Sequence, residues 1–318
     1  MSAARPPVAD QRAGSLRYLA QRVRSHAYWA RTQGIGRLVE EDRLDPVDRV
    51  RAAARKLRWR VLHGVAPGMA VPVYVVGVQR SGTNMLVRGL ESAPEFEVHN
   101  ENDRRVFSRY QLRSDEVVAR TVRHSRHAYV LFKPLCDSHR VAELLSLPGL
   151  PAGRAVWAYR DVDDRARSAV AKFGDANLRA LRQISAGEGA GLWQAQRMSA
   201  ETLEILRGFS YDAMTPHTAA ALFWWARNRL FFELGYDQRA DVLLSSYDAV
   251  IADPQAQIRA LCDFLDFPYR PELSAHVEQR SGARRPLDIE PRARELCDDL
   301  AARLAGASAA ATPVTTAH

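Results

Sequence analysis

The chain has 318 residues, 47% of them hydrophobic and 26% charged, with a net charge of +8. That is enough chain to bury a large core, and the balance is that of a globular protein rather than a disordered or fibrous one. The basic excess favours anionic partners such as nucleotides, membrane surfaces or sulfated and phosphorylated products, although it also serves simple solubility.

The three cysteines, Cys136, Cys262 and Cys297, form no CxxC pair. An odd, scattered set argues against a disulfide framework and for buried thiols. No run of about 18 apolar residues is present to span a membrane. The first residues, MSAARPPVADQRAG, lack the apolar core of a signal peptide, so a cytoplasmic protein is expected.

Residues 15–31 carry Leu16, Leu19, Val23, Ala27 and Ala30 at helical spacing. A second helix is expected from Asp45-Pro46 to about His63, closed by Gly64. Its polar side includes Arg49, Arg51, Arg55, Lys56, Arg58 and Arg60. Such a helix can lie peripherally on an anionic inner membrane face, and it can equally be a solvated face. Gly64–Gly68 reads as a linker, so residues 1–68 form a helical extension, 69–306 the main domain and 307–318 a low-complexity tail expected to be disordered.

The main domain opens with the apolar strand Val73–Val76, a tight loop through Gly77, Gln79, Arg80, Ser81, Gly82 and Thr83, and a helix to about Glu91. A short strand, Phe96–Val98, leads to His99-Asn100-Glu101. A polar, basic segment follows through Arg126. The strand Ala128–Phe132 ends in Lys133, and Ala155–Tyr159 ends in Arg160-Asp161 before a helix carrying Ser168. Residues 174–215 read as an irregular helical insertion and Thr218–Leu234 as an aromatic helix. The strand Asp241–Ser246 precedes Tyr247-Asp248, and a last helix is expected near Pro291–Leu304. Alternating strands and helices predict a mostly parallel α/β sheet flanked by helices, with its ligand at the carboxyl ends of the strands.

A glycine loop between strand and helix gathers backbone N–H groups at one point and attracts an anion. Gly77 and Gly82 have the spacing of a nucleoside-triphosphate P-loop, but Thr83 stands where the lysine belongs and Asn84 where the metal-binding hydroxyl belongs. A nucleotide or small-molecule kinase therefore lacks two of its parts here. A non-catalytic nucleotide-binding or membrane-associated protein is a further alternative.

GVQRSGT (77–83) resembles the 5′-phosphosulfate loop of sulfotransferases that use 3′-phosphoadenosine 5′-phosphosulfate (PAPS). AVWAYRDVDDRARS (155–168) resembles their 3′-phosphate motif, with Arg160 and Ser168 in the matching places. The segment from Val242 to Tyr269 resembles the strand and helix that follow, and the likeness covers about residues 71–305. It resembles bacterial-type members with RSGT rather than the KSGT of the cytosolic branch, and leans to the tyrosylprotein and carbohydrate branch, while Leu135 stands where the cytosolic branch has its histidine.

The resemblance implies a P-loop-like sulfotransferase fold, PAPS as co-substrate with no metal, and a small-molecule or glycan hydroxyl as acceptor. It assigns Gln79, Arg80, Ser81, Gly82, Thr83 and Asn84 to the 5′-phosphosulfate, and Arg160 and Ser168 to the 3′-phosphate. Arg284 and Arg285 are looser candidates, since the late glycine–tryptophan–lysine pattern is missing. Lys133 is expected at the transferring group. The base is expected to be Glu101, with His99 second. Tyr247-Asp248 reads as structural. His139 and His217 show no metal-ligand spacing, and no nucleic-acid-binding motif appears.

Overall fold

The computed structural model describes residues 46–279 and 286–311. The chain divides into two units, residues 1–57 and 58–318. The second unit takes in residues 58–68, which the sequence reading assigned to the extension. Those residues are tied to it by Val65 N donating to Arg126 O at 3.0 Å and Gly68 N to Arg123 O at 2.8 Å. The expected helix over 15–31 lies outside the described residues. Helix α1 runs Pro46–His63.

The sheet is built from β1 (Val71–Gly77), β2 (Phe96–His99), β5 (Tyr129–Phe132), β6 (Arg154–Tyr159) and β7 (Val242–Ser246). Its order is β2-β5-β1-β6-β7, and every pairing is parallel. After β1 the chain runs out to the edge strand β2, returns to place β5 between β2 and β1, then crosses to the other side with β6 and β7. The carboxyl end of β1 is therefore the point where strand order reverses, and crevices for ligands form at such points.

Two cores follow from the period-two alternation of β1. Tyr74 and Val76 join Phe132 and Trp157 on one face, while Val73 and Val75 join Leu131 and Val156 on the other. The second face is covered by α2 (Thr83–Ser92) and the late helix Pro254–Phe264, through Leu86, Leu90, Ile258 and Leu261. The first is covered by the aromatic helix, whose Phe223, Trp224 and Trp225 are all buried. Burying side chains of this size contributes about 2–3 kcal/mol each before entropy is counted.

Between β2 and β5 the structure departs from the expected polar segment. It holds an antiparallel hairpin, β3 (Phe107–Ser108) and β4 (Gln111–Leu112), and helix α3 (Asp115–His124). The helix has acids in its first turn, Arg123 and His124 in its last, and buries only Val118, Ala119 and Val122. Its charges favour the helix dipole, but its apolar stripe is too thin to stand out in sequence.

Helix α4 (Val141–Leu145) is short, and α5 (Val162–Phe173) follows β6. The insertion contains α6 (Ala176–Ser185) and α7 (Ala200–Arg207). The aromatic helix α8 spans Pro216–Asn228, capped by Thr215, and passes into α9 (Leu230–Glu233). Helix α10 (Tyr247–Ala252) leads to α11 (Pro254–Phe264), and the last helix, α12, runs Pro291–Ala311. Of the expected tail, residues 307–311 are helical, their alanines extending a helix already nucleated on the core, and 312–318 lie outside the described residues. No described helix is long and apolar enough to cross a membrane. The three cysteines are free and buried.

Candidate active site

The loop after β1 depends on its glycines. A Cβ on Gly77 would lie 2.2 Å from the carbonyl oxygen of Ala158 on the neighbouring strand. A Cβ on Gly82 would lie 2.1 Å from Cδ2 of Tyr247. Gly82 has φ 84°, and Arg80 itself takes φ 73°, a conformation uncommon outside glycine. The chain turns tightly enough for α2 to start directly at Thr83, which aims the helix N-terminus at the loop.

Arg80 is joined to the second motif. Its Nε donates to Oγ of Ser168 at 2.9 Å, linking the loop to α5. Arg165, one turn earlier on the same helix, is fully buried. Its Nε donates to the carbonyl of Gln79 at 3.1 Å and its Nη1 to the carbonyl of Ala220 at 2.7 Å. No carboxylate pairs with Arg165 among the described contacts. Burial, then the positive field of Arg80, pulls its guanidinium down to about 9.

Arg160 lies at the end of β6. Its guanidinium stacks over Tyr247, 4.4 Å from the ring centre, and Nη2 donates to Asp164 at 3.2 Å. Its carbonyl accepts the indole N–H of Trp224 at 3.0 Å. Tyr247 is thus a wall and a platform, consistent with its structural reading, and Asp248 accepts the amide of Asp161 at 2.7 Å.

Several buried donors around the loop have no acceptor: the Ser81 hydroxyl, Nε of Arg160 and Nη2 of Arg165. Orphaned buried donors are costly, and these belong to residues of the loop and of the segment after β6. An anion seated against the loop is the kind of group that would give such donors an acceptor.

The loop has no lysine of its own, but β5 supplies one. Lys133 Nζ donates to Oδ1 of Asn84 at 2.6 Å and lies 3.5 Å from Oε2 of Glu101. Burial pushes the Glu101 carboxyl above the ordinary carboxylate value, and Lys133 offsets only part of that. Below them, Asp137 is buried and accepts the amide of Leu112 at 2.7 Å, which fixes the β3–β4 hairpin beside the site. Gln79 Nε2 contacts Sγ of Cys136 at 3.7 Å.

His99 joins this cluster through its backbone, its carbonyl accepting the amide of Lys133 at 3.2 Å, while its side chain meets other partners. It is 2% exposed, stacks on Phe132, and lies between Asp103 (Nδ1, 2.7 Å) and Glu97 (Nε2, 3.2 Å). Nδ1 is hydrogen-bonded to Asp103, whereas Nε2, close to Glu97, makes no hydrogen bond among the described residues, and Glu101 is the carboxylate beside Lys133. Arg284 and Arg285 lie outside the described residues.

Arg165 was quoted within the 3′-phosphate motif, but sequence reading gave it no role. Its signal was its position three residues before Ser168, on the same face of one helix. Arg227 was missed too. It is buried, and donates to the carbonyls of Gln194 and Gln196 and to the Ser138 hydroxyl, tying the insertion to the segment after β5. No periodicity marks a buried arginine among tryptophans.

Fold and site together define a parallel α/β protein with a tight glycine loop between β1 and α2. No model of a known protein family matches the chain, and no curated protein sequence matches it. Similar solved structures include a sulfotransferase domain from the curacin biosynthetic pathway, at 12% identity and TM-score 0.42, over 73% of this chain and 98% of that one. Another is a sulfotransferase from Alicyclobacillus acidocaldarius, at 16% identity and TM-score 0.39, over 77% and 95%. A third is the sulfotransferase domain of the Synechococcus PCC 7002 olefin synthase, at 13% identity and TM-score 0.38, over 73% and 95%. These are weak, fold-level likenesses.

Proposed function

We propose that this chain is a PAPS-dependent sulfotransferase acting on an acceptor hydroxyl. The observation that carries the reading is the joining of two anion-binding motifs: Arg80 on the loop bonds Ser168 on α5, with unpartnered donors on Ser81, Arg160 and Arg165 around them. A single phosphate needs one such cradle. Two cradles 88 residues apart in sequence and in contact through Arg80 and Ser168 suit a nucleotide phosphorylated at both its 5′ and 3′ positions.

Bound PAPS would supply the sulfuryl group and leave as adenosine 3′,5′-bisphosphate. Arg80, Ser81, Thr83 and Asn84 would hold the 5′ end, and Arg160 and Ser168 the 3′-phosphate. Lys133 would stabilise charge that develops on the leaving oxygen, a role that needs no metal. Glu101 would take the acceptor's hydroxyl proton at a carboxylate oxygen. Its raised proton affinity brings it nearer the pH at which a base works well. A sugar, glycolipid or small-metabolite hydroxyl is the expected acceptor class.

The test is thermal melting with adenosine 3′,5′-bisphosphate and, separately, with magnesium-ATP. The bisphosphate should raise the melting temperature at micromolar concentration, and the Arg80→Ala variant should lose that rise. Stabilisation by magnesium-ATP alone would instead select a kinase. Incubation with PAPS and an acceptor panel, read by mass spectrometry, should then show a sulfated product. Bisphosphate binding with no product from any acceptor would favour a non-catalytic nucleotide-binding protein.

A further inference from the structure

A basic concavity lies away from the loop. It has a volume of about 370 Å³, and Arg60, Arg105 and Arg126 supply its positive charge, with His124 also on the lining. None of its lining residues belongs to the loop or to α5. It opens beside the edge strand β2, whose Glu97 and His99 form its inner wall, and Ser125 lies there too.

The charge balance favours an anion. Glu97 is the one carboxylate on the lining, and it is already engaged by His99 and by the Ser125 hydroxyl, which donates to it at 2.6 Å. Burial opposes ionisation of Glu97, yet those partners hold its carboxyl at about 2, so its charge is spent internally. Arg105 is shared with Asp103, its Nη2 lying 2.6 Å from Oδ2. No ion pair links Arg60 or Arg126 to a carboxylate among the described residues.

Local geometry holds these two arginines together. Val65 N donates to the carbonyl of Arg126 just after α1 ends. A Cβ on Gly64 would meet the carbonyl of Arg60 at 2.3 Å and that of Arg126 at 3.2 Å, so only glycine lets the segments close. Trp59 stacks on buried His127, with rings 5.8 Å apart and 5° from parallel. The backbones that carry the arginines are thus fixed in advance, which lowers the cost of binding. Two guanidinium groups with forked donors suit the oxygens of a phosphate or sulfate group.

We infer that this concavity is a second anion-binding site, formed by Arg60, Arg126 and Arg105 with His124, which takes a phosphate- or sulfate-sized group. The group has two sources: a free or small-molecule ester, or the headgroup of an anionic lipid. The second source gains from Val61, Leu62 and Met69, which follow Arg60 closely in sequence and are 73%, 60% and 63% exposed. The site does not depend on what the loop binds.

The experiment is calorimetric titration of the full chain with inorganic phosphate, at constant ionic strength. It compares the wild type, Arg80→Ala, and the double variant Arg60→Gln, Arg126→Gln. Arg80→Ala disables the loop, so phosphate binding that survives in it reports the second site. The double variant in that background should lose roughly tenfold or more in affinity, as expected for removing two charged hydrogen-bond donors. A parallel arm sediments the same proteins with phosphatidylglycerol-containing vesicles and with phosphatidylcholine alone. Phosphate binding sensitive to the double variant without sedimentation assigns a soluble anion. Anionic-vesicle sedimentation lost in the double variant assigns a headgroup. If neither phosphate binding nor sedimentation responds to the double variant, the site is overturned. Both substituted residues are exposed, so the fold should survive, and an unchanged circular dichroism spectrum checks this.

Discussion

Arg80 Nε and Ser168 Oγ lie 2.9 Å apart, and this one hydrogen bond joins the loop after β1 to the helix after β6. The pair separates two effects. Ser168→Ala removes the hydroxyl proposed to hold the 3′-phosphate and should weaken adenosine 3′,5′-bisphosphate binding by roughly tenfold. Arg80→Ala also removes a fixed cation and should weaken it roughly a hundredfold or more. Titration calorimetry checks the order. Equal, small losses would place the nucleotide elsewhere.

Glu101 should separate binding from turnover. Glu101→Gln keeps the shape and removes the proposed base, so turnover should fall about 10²–10⁴-fold while bisphosphate affinity stays the same. The wild-type rate should fall on the acid side as the carboxyl takes a proton. Because burial raises that carboxyl's proton affinity, the fall should be centred above the ordinary carboxylate value of 4.5. A flat acid limb, or full turnover by Glu101→Gln, would move the role to another group.

Gly82 should tolerate no side chain. Gly82→Ala must hold φ 84° and place a Cβ 2.1 Å from Tyr247. A cost of about 1–3 kcal/mol is expected from the backbone conformation and the displaced ring. Chemical denaturation measures it. Adding Tyr247→Ala should recover the steric part, leave the conformational part, and release the platform under Arg160.

The carboxylates around His99 should set the acid stability. Glu97 has its carboxyl at about 2 in the folded chain against 4.5 unfolded. Asp103 is held well below its ordinary value, Arg105 and His99 overcoming the opposing effect of burial. A depressed carboxylate stabilises above its unfolded pKa, and that stability is lost as pH falls through the folded one. Unfolding free energy should therefore drop between about pH 4.5 and pH 2. Glu97 is 30% exposed, so after allowing for solvent screening its share is on the order of 1–2 kcal/mol. Urea melts of Glu97→Gln should show a shallower acid slope than the wild type.

The sequence by itself determined the parallel sheet and the residues at its carboxyl edge. Apolar strands alternate with helices there, and such strands carry their own signal in β-branched runs such as Val73–Val76. The loop was legible because glycine spacing is a local property. The hairpin at 107–112 and helix α3 were not, because the first has two-residue strands and the second buries few side chains. Only the tertiary structure decided which polar groups meet. Lys133 reaches Asn84 because β5 lies next to β1 in the sheet. His99 is turned to Glu97 and Asp103 because strand alternation puts its ring on the Phe132 face. Arg165 and Arg227 became visible as buried cations only once the helices carrying them were packed. Their partners are mainly carbonyl and hydroxyl oxygens distant in sequence, and long-range pairing of that kind leaves no trace in local pattern.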